Sequence, residues 1–241
     1  AWTETADLNT GRQSMGACGA TSTAALCISG ASPSRVTNVE SWNGSAWTEI
    51  ADVNQKRYYT TGSGSQTDAL LIAGQDPPVK ANVEKWDGSS WTEVGDLNLA
   101  RFALASSSNP SGSDDTLAFG GHTASPDADK TNTESWNGTS WTEVGNLNNS
   151  KRSGGSAGTQ THALYFGGHS PSTYVNTSEE WDGSSWTTTP NMATARGYMG
   201  GFGTASAAAG ATGYVPGTPT PGRVMTEEYN SNINAFTPAV W

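Results

Sequence analysis

An all-β chain built from five copies of one four-stranded antiparallel sheet is what the sequence predicts, and three observations predict it. A phrase carrying two Trp residues recurs along the 241 residues, at Trp42 and Trp47, Trp86 and Trp91, Trp136 and Trp141, and Trp181 and Trp186, with Tyr229 and Phe236 as a degenerate fifth copy. The first members are spaced by 44, 50, 45 and 48 residues, and self-similarity at such a period marks stacked or radially closed repeats. Gly and Pro number 29 and 11 while 34% of residues are apolar, which suits many short strands and turns better than helices with continuous apolar stripes.

Each unit opens on an Arg behind an apolar residue and usually Asn, as in "DLNTGR", "DVNQKR" and "DLNLAR"; the series is Arg12, Arg57, Arg101, Arg152 and Arg196. Two strand-like runs follow, here called strands a and b, and b ends in a small pair: Ser29-Gly30, Ala73-Gly74, Gly120-Gly121, Gly167-Gly168 and, more loosely, Ala209-Gly210. A loop of variable length leads to strand c, where a Glu stands two positions ahead of the aromatic residue: Glu40, Glu84, Glu134, Glu179 and Glu227. Asn-Gly or Asp-Gly then separates c from strand d in four copies, where a two-residue hairpin needs positive φ at both positions. Such a loop sets Trp42 opposite Ser45 and Glu40 opposite Trp47, so the Glu and both Trp residues share one sheet face. That aromatic face must pack on a neighbouring sheet.

Five twisted sheets that each bury a face on the next are satisfied by radial closure, which leaves only short edges, and the expected architecture is a single β-propeller over residues 1–241. The order Arg, strand, strand ending Gly-Gly, strand with an aromatic, strand with Trp resembles the kelch repeat, most clearly in "RSGGSAGTQTHALYFGGHSPSTYVNTSEEWDGSSWTTTPNM" from Arg152. Kelch units usually carry Tyr-Asp in strand c and a longer c-to-d loop, and six or seven blades are the expectation for that family. Both "WTETADLN" at residues 2–9 and "AFTPAVW" at residues 235–241 read as a strand d. The N-terminal strand, residues 1–9, matches the repeat better and is expected to complete the last blade, giving a closed monomeric ring or a part of a larger assembly.

The five Arg and five Glu recur with the architecture, so they read as structural pairs, bidentate where geometry allows. Cys18 and Cys27 fall in strands a and b of the first unit, and a two-residue turn at Ser22-Thr23 would oppose them closely enough for a disulfide. Two small buried thiols are the equal alternative, and no His or Lys stands beside either to activate it. Of three His residues, His122 and His169 follow Gly-Gly at equivalent positions, next to Asp127 and Asp129. The set is too small for a metal site, and no phosphate loop, zinc signature or nucleophile motif is present. No cofactor, metal or catalytic residue is therefore expected.

What varies between units is the b-to-c loop. An almost constant frame with variable rim loops is how binding surfaces are built, and Tyr174, Tyr214, His122, His169, Asp127, Asp129 and Arg223 are the candidate ligand-binding residues. A net charge of −10 with no dense basic cluster argues against nucleic acid, and no run of 18 apolar residues enters a membrane. The reading is a non-enzymatic recognition module for a carbohydrate or protein ligand, extracellular or virion-associated. The alternatives are a structural component of a virion or surface fibre, and a small-sugar enzyme of the kind of the sialic-acid mutarotases, which resemble kelch propellers.

Overall fold

In a computed structural model, which describes residues 3–217, 225–232 and 234–238, every strand of the repeat folds against its sequence neighbour. Blade one comprises Gly16–Thr21, Ala24–Ile28, Val39–Trp42 and Trp47–Ile50, and blade two Thr61–Gly64, Ala69–Gln75, Val79–Trp86 and Trp91–Val94. Blade three is Ala105–Ser106, Thr116–Phe119, Thr133–Trp136 and Trp141–Glu143, and blade four Gly155–Gly158, Ala163–Phe166, Ser178–Trp181 and Trp186–Thr189. Blade five is Gly200–Thr204, Ala207–Ala211, Thr226–Asn230 and Ala235–Pro238. The strands of each blade lie in the sheet in sequence order, a-b-c-d. The protein is a five-bladed β-propeller of four-stranded antiparallel blades. No described helix is long and apolar enough to cross a membrane.

Four apolar clusters join successive blades. Leu26 and Ile28 of blade one meet Leu71, Trp86 and Trp91 of blade two, and Leu164 and Phe166 of blade four meet Met199, Ala208 and Tyr229 of blade five. The remaining two clusters repeat the pattern between blades two and three and between blades three and four. Alternation along strand b makes this possible, since Leu70 and Ile72 point to the next blade while Ala69 and Leu71 point to the previous one.

Beneath each aromatic face lies a buried charge cluster. Asn54 gives its backbone N–H and its side-chain amide to Glu84, at 2.7 and 2.9 Å, and Arg57 gives Nη2 at 2.8 Å. Blades one and three repeat this with Asn9, Arg12 and Glu40 and with Asn98, Arg101 and Glu134, and blade five pairs Arg196 with Glu227 at 3.4 Å. In blade four the buried cation is Lys151, not Arg152. The spacing from the preceding Asn decides it: Asn9 to Arg12, Asn54 to Arg57, Asn98 to Arg101 and Asn148 to Lys151 are all three residues, so Arg152 falls one place further on and reaches the rim.

Three further expectations are corrected. The c-to-d turn has four residues rather than two: Trp42 pairs with Trp47 and Glu40 with Glu49, because Asn43 Oδ1 accepts the N–H groups of both Ser45 and Ala46 at 2.9 Å. Only the glycine of that turn needs positive φ, +93° at Gly44. Each Trp pair thereby stacks obliquely, with centroids 5.3 to 5.6 Å apart. Cys18 and Cys27 are not bonded. The hairpin register slips by one between Gly19 and Thr21, so Cys18 pairs with Leu26 and Ala17 with Cys27; one bulged residue sends the two thiols to opposite faces.

The third correction concerns the edge of blade five. Its outermost strand is Ala235–Pro238, with Phe236 opposite Tyr229, and residues 3–8 form no strand. Phe236 packs on Phe166 of blade four, filling the place that the second Trp fills elsewhere, so the N-terminal segment finds that edge taken. Trp2, Arg223 and Trp241 lie outside the described residues.

Candidate functional site

At one end of the central channel the backbone makes three nested rings. Strand b ends on a left-handed residue followed by a glycine at φ near +100°: Ser29-Gly30, Ala73-Gly74, Gly120-Gly121, Gly167-Gly168 and, in place of Ala209-Gly210, Thr212-Gly213. A Cβ on Gly30 would come within 2.8 Å of the Gln13 carbonyl oxygen, so the second position admits only glycine. The next residues, Ala31, Gln75, His122, His169 and Tyr214, bridge to the residue following the buried cation: Gln13, Tyr58, Phe102, Arg152 and Gly197. Tyr214, not Ala211, is thus the blade-five counterpart of His122 and His169.

The innermost ring is Ser14, Tyr59, Ala103, Ser153 and Tyr198, all non-glycine and all left-handed with φ from 52° to 55°. Each costs roughly 1 kcal/mol or more of backbone strain, and a hydrogen bond to the neighbouring blade holds it. Tyr59 N–H donates to Ser14 C=O at 2.8 Å, Ala103 to Tyr59 at 2.7 Å, Ser153 to Ala103 at 2.8 Å and Tyr198 to Ser153 at 2.7 Å. The twist aims these side chains into the mouth, where a cavity of about 860 Å³ is lined by Tyr59, Tyr174, Tyr198 and Tyr214 among others.

The rings form a connected crescent. Tyr174 lies 5.1 Å from Tyr214, 6.3 Å from Tyr198 and edge-on to His169 at 4.9 Å; Tyr59 lies 6.0 Å from Phe102, which in turn meets His122 edge-on at 5.2 Å. Arg35 stands over the Tyr58 ring at 4.8 Å. Burial holds the Tyr59 and Tyr174 hydroxyls above the usual phenol range, so both are neutral donors at physiological pH. Blade one contributes Gln13, Ser14 and Met15 to the cavity lining and no aromatic ring, so the crescent of rings is open on that side.

Of the sequence candidates, His122, Asp127, Asp129, His169, Tyr174 and Tyr214 come together here. They divide into two groups. Tyr174 and Tyr214 line the cavity, whereas the charged residues bind one another behind it: His122 lies 2.6 Å from Asp129 and 2.5 Å from Asp127, and Arg152 lies 2.5 Å from both Asp129 and His122. Burial and the Arg152 guanidinium hold His169 below the usual imidazole range, so it is neutral at pH 7. No group of three or more His, Cys, Asp and Glu among the described residues is arranged for a metal ion. Tyr58, Tyr59, Phe102 and Tyr198 were not singled out in the sequence. Their signal is position, one or two residues beyond the buried cation of each unit.

The mouth and the blades define a propeller with an aromatic, uncharged funnel at one end of its channel. No protein-family model and no curated protein matches the chain.

Proposed function

We propose that this chain is a non-enzymatic recognition module that binds a neutral carbohydrate at the aromatic mouth. One observation carries the reading: among the described residues the mouth cavity is lined by four Tyr rings, the apolar side chains of Met15, Leu104 and Met199, the Gln13 amide, hydroxyls and backbone, with no charged side chain. Tyrosine offers an apolar face to the C–H side of a sugar ring and a hydroxyl to its polar rim, and a concave, largely preformed pocket with few placed polar groups is the usual form of a small-ligand site. His122, Asp127 and Asp129 are tied with Arg152 in one network outside the cavity lining, which favours binding over catalysis. We further read the repeat as kelch-like, on the strand order and the glycine pair, and an extracellular or virion-surface setting on its acidic charge of −10.

The test is a glycan array that includes bacterial surface polysaccharides, run on the wild-type chain and on Tyr198→Ala. Tyr198 is 49% exposed, so its removal leaves the core intact. The expected outcome is selective binding that falls at least tenfold in the variant, the loss of ~1.4 kcal/mol or more that one stacked ring represents. Equal binding by the two proteins, or retention of no glycan, overturns the reading.

A further inference from the structure

The c-to-d turns of blades one to four are each built around one side-chain oxygen, which belongs to an amide in two blades and to a carboxylate in the other two. Asn43 Oδ1 accepts the Ser45 N–H, the Ser45 hydroxyl and the Ala46 N–H, each at 2.9 Å. Asn137 Oδ1 accepts the Thr139 and Ser140 N–H groups at 3.0 and 2.9 Å. Asp87 Oδ1 takes the same three donors as Asn43, from Ser89 and Ser90, at 2.8 Å, and Asp182 takes them from Ser184 and Ser185 at 2.8 Å. The Ser90 and Ser185 N–H groups, and after them the Ser89 and Ser184 hydroxyls, hold these two carboxyls at about 2, below the usual range. The turn is a nest for negative charge on that oxygen.

Asn43 and Asn137 are also the only asparagines in the sequence that precede glycine. In such a step the glycine nitrogen attacks the side-chain carbonyl carbon, Cγ, and negative charge develops on Oδ1. Donors already aimed at that oxygen stabilise the tetrahedral intermediate, and a glycine has no Cβ to crowd the approach. Among the described residues the Gly44 and Gly138 N–H groups donate to nothing, and Nδ2 of Asn43 and of Asn137, the leaving nitrogen, has no partner. Asn9, Asn54, Asn98 and Asn148 are the contrast, since each commits Nδ2 to a buried Glu.

We propose that the Asn-Gly turns of blades one and three are self-modifying sites, which deamidate on the folded chain to aspartate, Asn43 ahead of Asn137. First the bond from Gly44 N to Cγ forms and the Cγ–Nδ2 bond breaks; the Gly44 proton passes through solvent to the leaving nitrogen, and ammonia departs from a succinimide. Water then adds at Cγ and the bond to Gly44 N breaks, with the protons of water going to that nitrogen and to solvent. A carboxylate stands where the amide stood, and nothing is oxidised or reduced. The donors on Oδ1 favour opening at Cγ over opening at the main-chain carbonyl, which would insert a carbon into the backbone and break the pairing of Trp42 with Trp47. Asn43 leads because it has the hydroxyl donor that Asn137 lacks among the described residues, and because Gly44 is exposed whereas Gly138 is half-buried. Each conversion adds one negative charge, so both take the net −10 to −12, and the four turns then share the chemistry of Asp87 and Asp182.

The test is incubation of the folded wild-type chain and of Ser45→Ala at neutral pH in heavy-oxygen water, followed by peptide mapping with fragmentation that separates Asp from its β-linked isomer. Ser45 is exposed, so its hydroxyl can be removed without loss of the fold. One labelled oxygen should enter at residue 43, mainly as Asp, before any enters at residue 137. In Ser45→Ala the rate should fall about fivefold, the loss of one hydrogen bond of ~1 kcal/mol. Asn43→Asp should elute with the aged wild-type protein on ion exchange and unfold at the same temperature as the fresh one. A folded chain whose Asn43 stays intact, a β-linked isomer that outweighs Asp, conversion of Asn137 first, or a rate unmoved by Ser45→Ala each overturns the proposal.

Discussion

Lys151 is the one substitution in the buried charge ring, and it makes a weaker contact than the arginines it replaces. Its Nζ reaches the Tyr165 and Thr177 carbonyls at 3.3 and 3.2 Å but stands 3.9 Å from Glu179, whereas Arg57 and Arg101 reach their Glu at 2.8 and 2.7 Å. Burial lowers its pKa from 10.5 to about 8, against the pull of Glu179. Below pH 8 both folded and unfolded chains carry the proton and the folded state bears the whole cost of burying the charge. Between pH 8 and 10.5 the folded state sheds its proton first, the unfolded state binds more, and stability from this group rises with pH. Lys151→Arg keeps its charge throughout and spans the gap with a planar fork. Urea unfolding should find the variant more stable by about 1 kcal/mol at pH 7, with the advantage shrinking toward pH 10. An advantage that does not change with pH would mean that burial of the lysine charge is not its source.

At the scale of the strand, local pattern and tertiary competition part company. The strands, four of the five glycine pairs and the blade boundaries were legible because each follows from a period or from a backbone angle that one residue type tolerates. Three features were not. Asn43-Gly44 has the letters of a two-residue hairpin, but the same Asn that permits positive φ also closes a four-residue turn through its side-chain oxygen. The bulge between Gly19 and Thr21 leaves no mark in the spacing of Cys18 and Cys27. The edge of blade five goes to the poorer match, "AFTP", because it is joined to strand c by a short hairpin and brings Phe236 onto Phe166 and Tyr229, while residues 3–8 would have to return from the far end of the chain. Phe236→Ala should therefore cost about 2 kcal/mol, less than a fully buried Phe because the ring is half-buried, and lower the thermal midpoint by several degrees. A chain beginning at Leu8, which keeps the Asn9 bonds to Glu40, should unfold within a degree of the full chain. The reverse order of effects in a calorimetric scan would return the edge to the N-terminal segment. The candidate site divides the same way: loop letters pointed to Tyr174, Tyr214 and the His and Asp cluster, while Tyr59 and Tyr198 lie inside the repeat and become a site only when the left-handed ring turns them into the mouth.

For the molecule as a whole, what matters is that among the described residues five blades share four interfaces with paired backbone bonds and an apolar cluster. Repeats that contact only their neighbours have a stability that is close to a sum of unit and interface terms, and in such an array the two end units each lack one interface. The burial of the inner strands already follows this: Gly155–Gly158 of blade four is almost wholly buried, while Gly200–Thr204 of blade five is largely exposed. In an unbroken ring every blade has two neighbours, and local opening costs about the same everywhere. In a ring where, among the described residues, one seam lacks the two backbone bonds that the others carry, opening begins at that seam. Amide hydrogen exchange should thus give a gradient, with protection greatest in Thr116–Phe119 of blade three and its neighbours in blades two and four, and least in the inner strands of blades one and five. Uniform protection would mean that blade five and blade one are joined in solution as tightly as any other pair, and the seam would then be a closed contact.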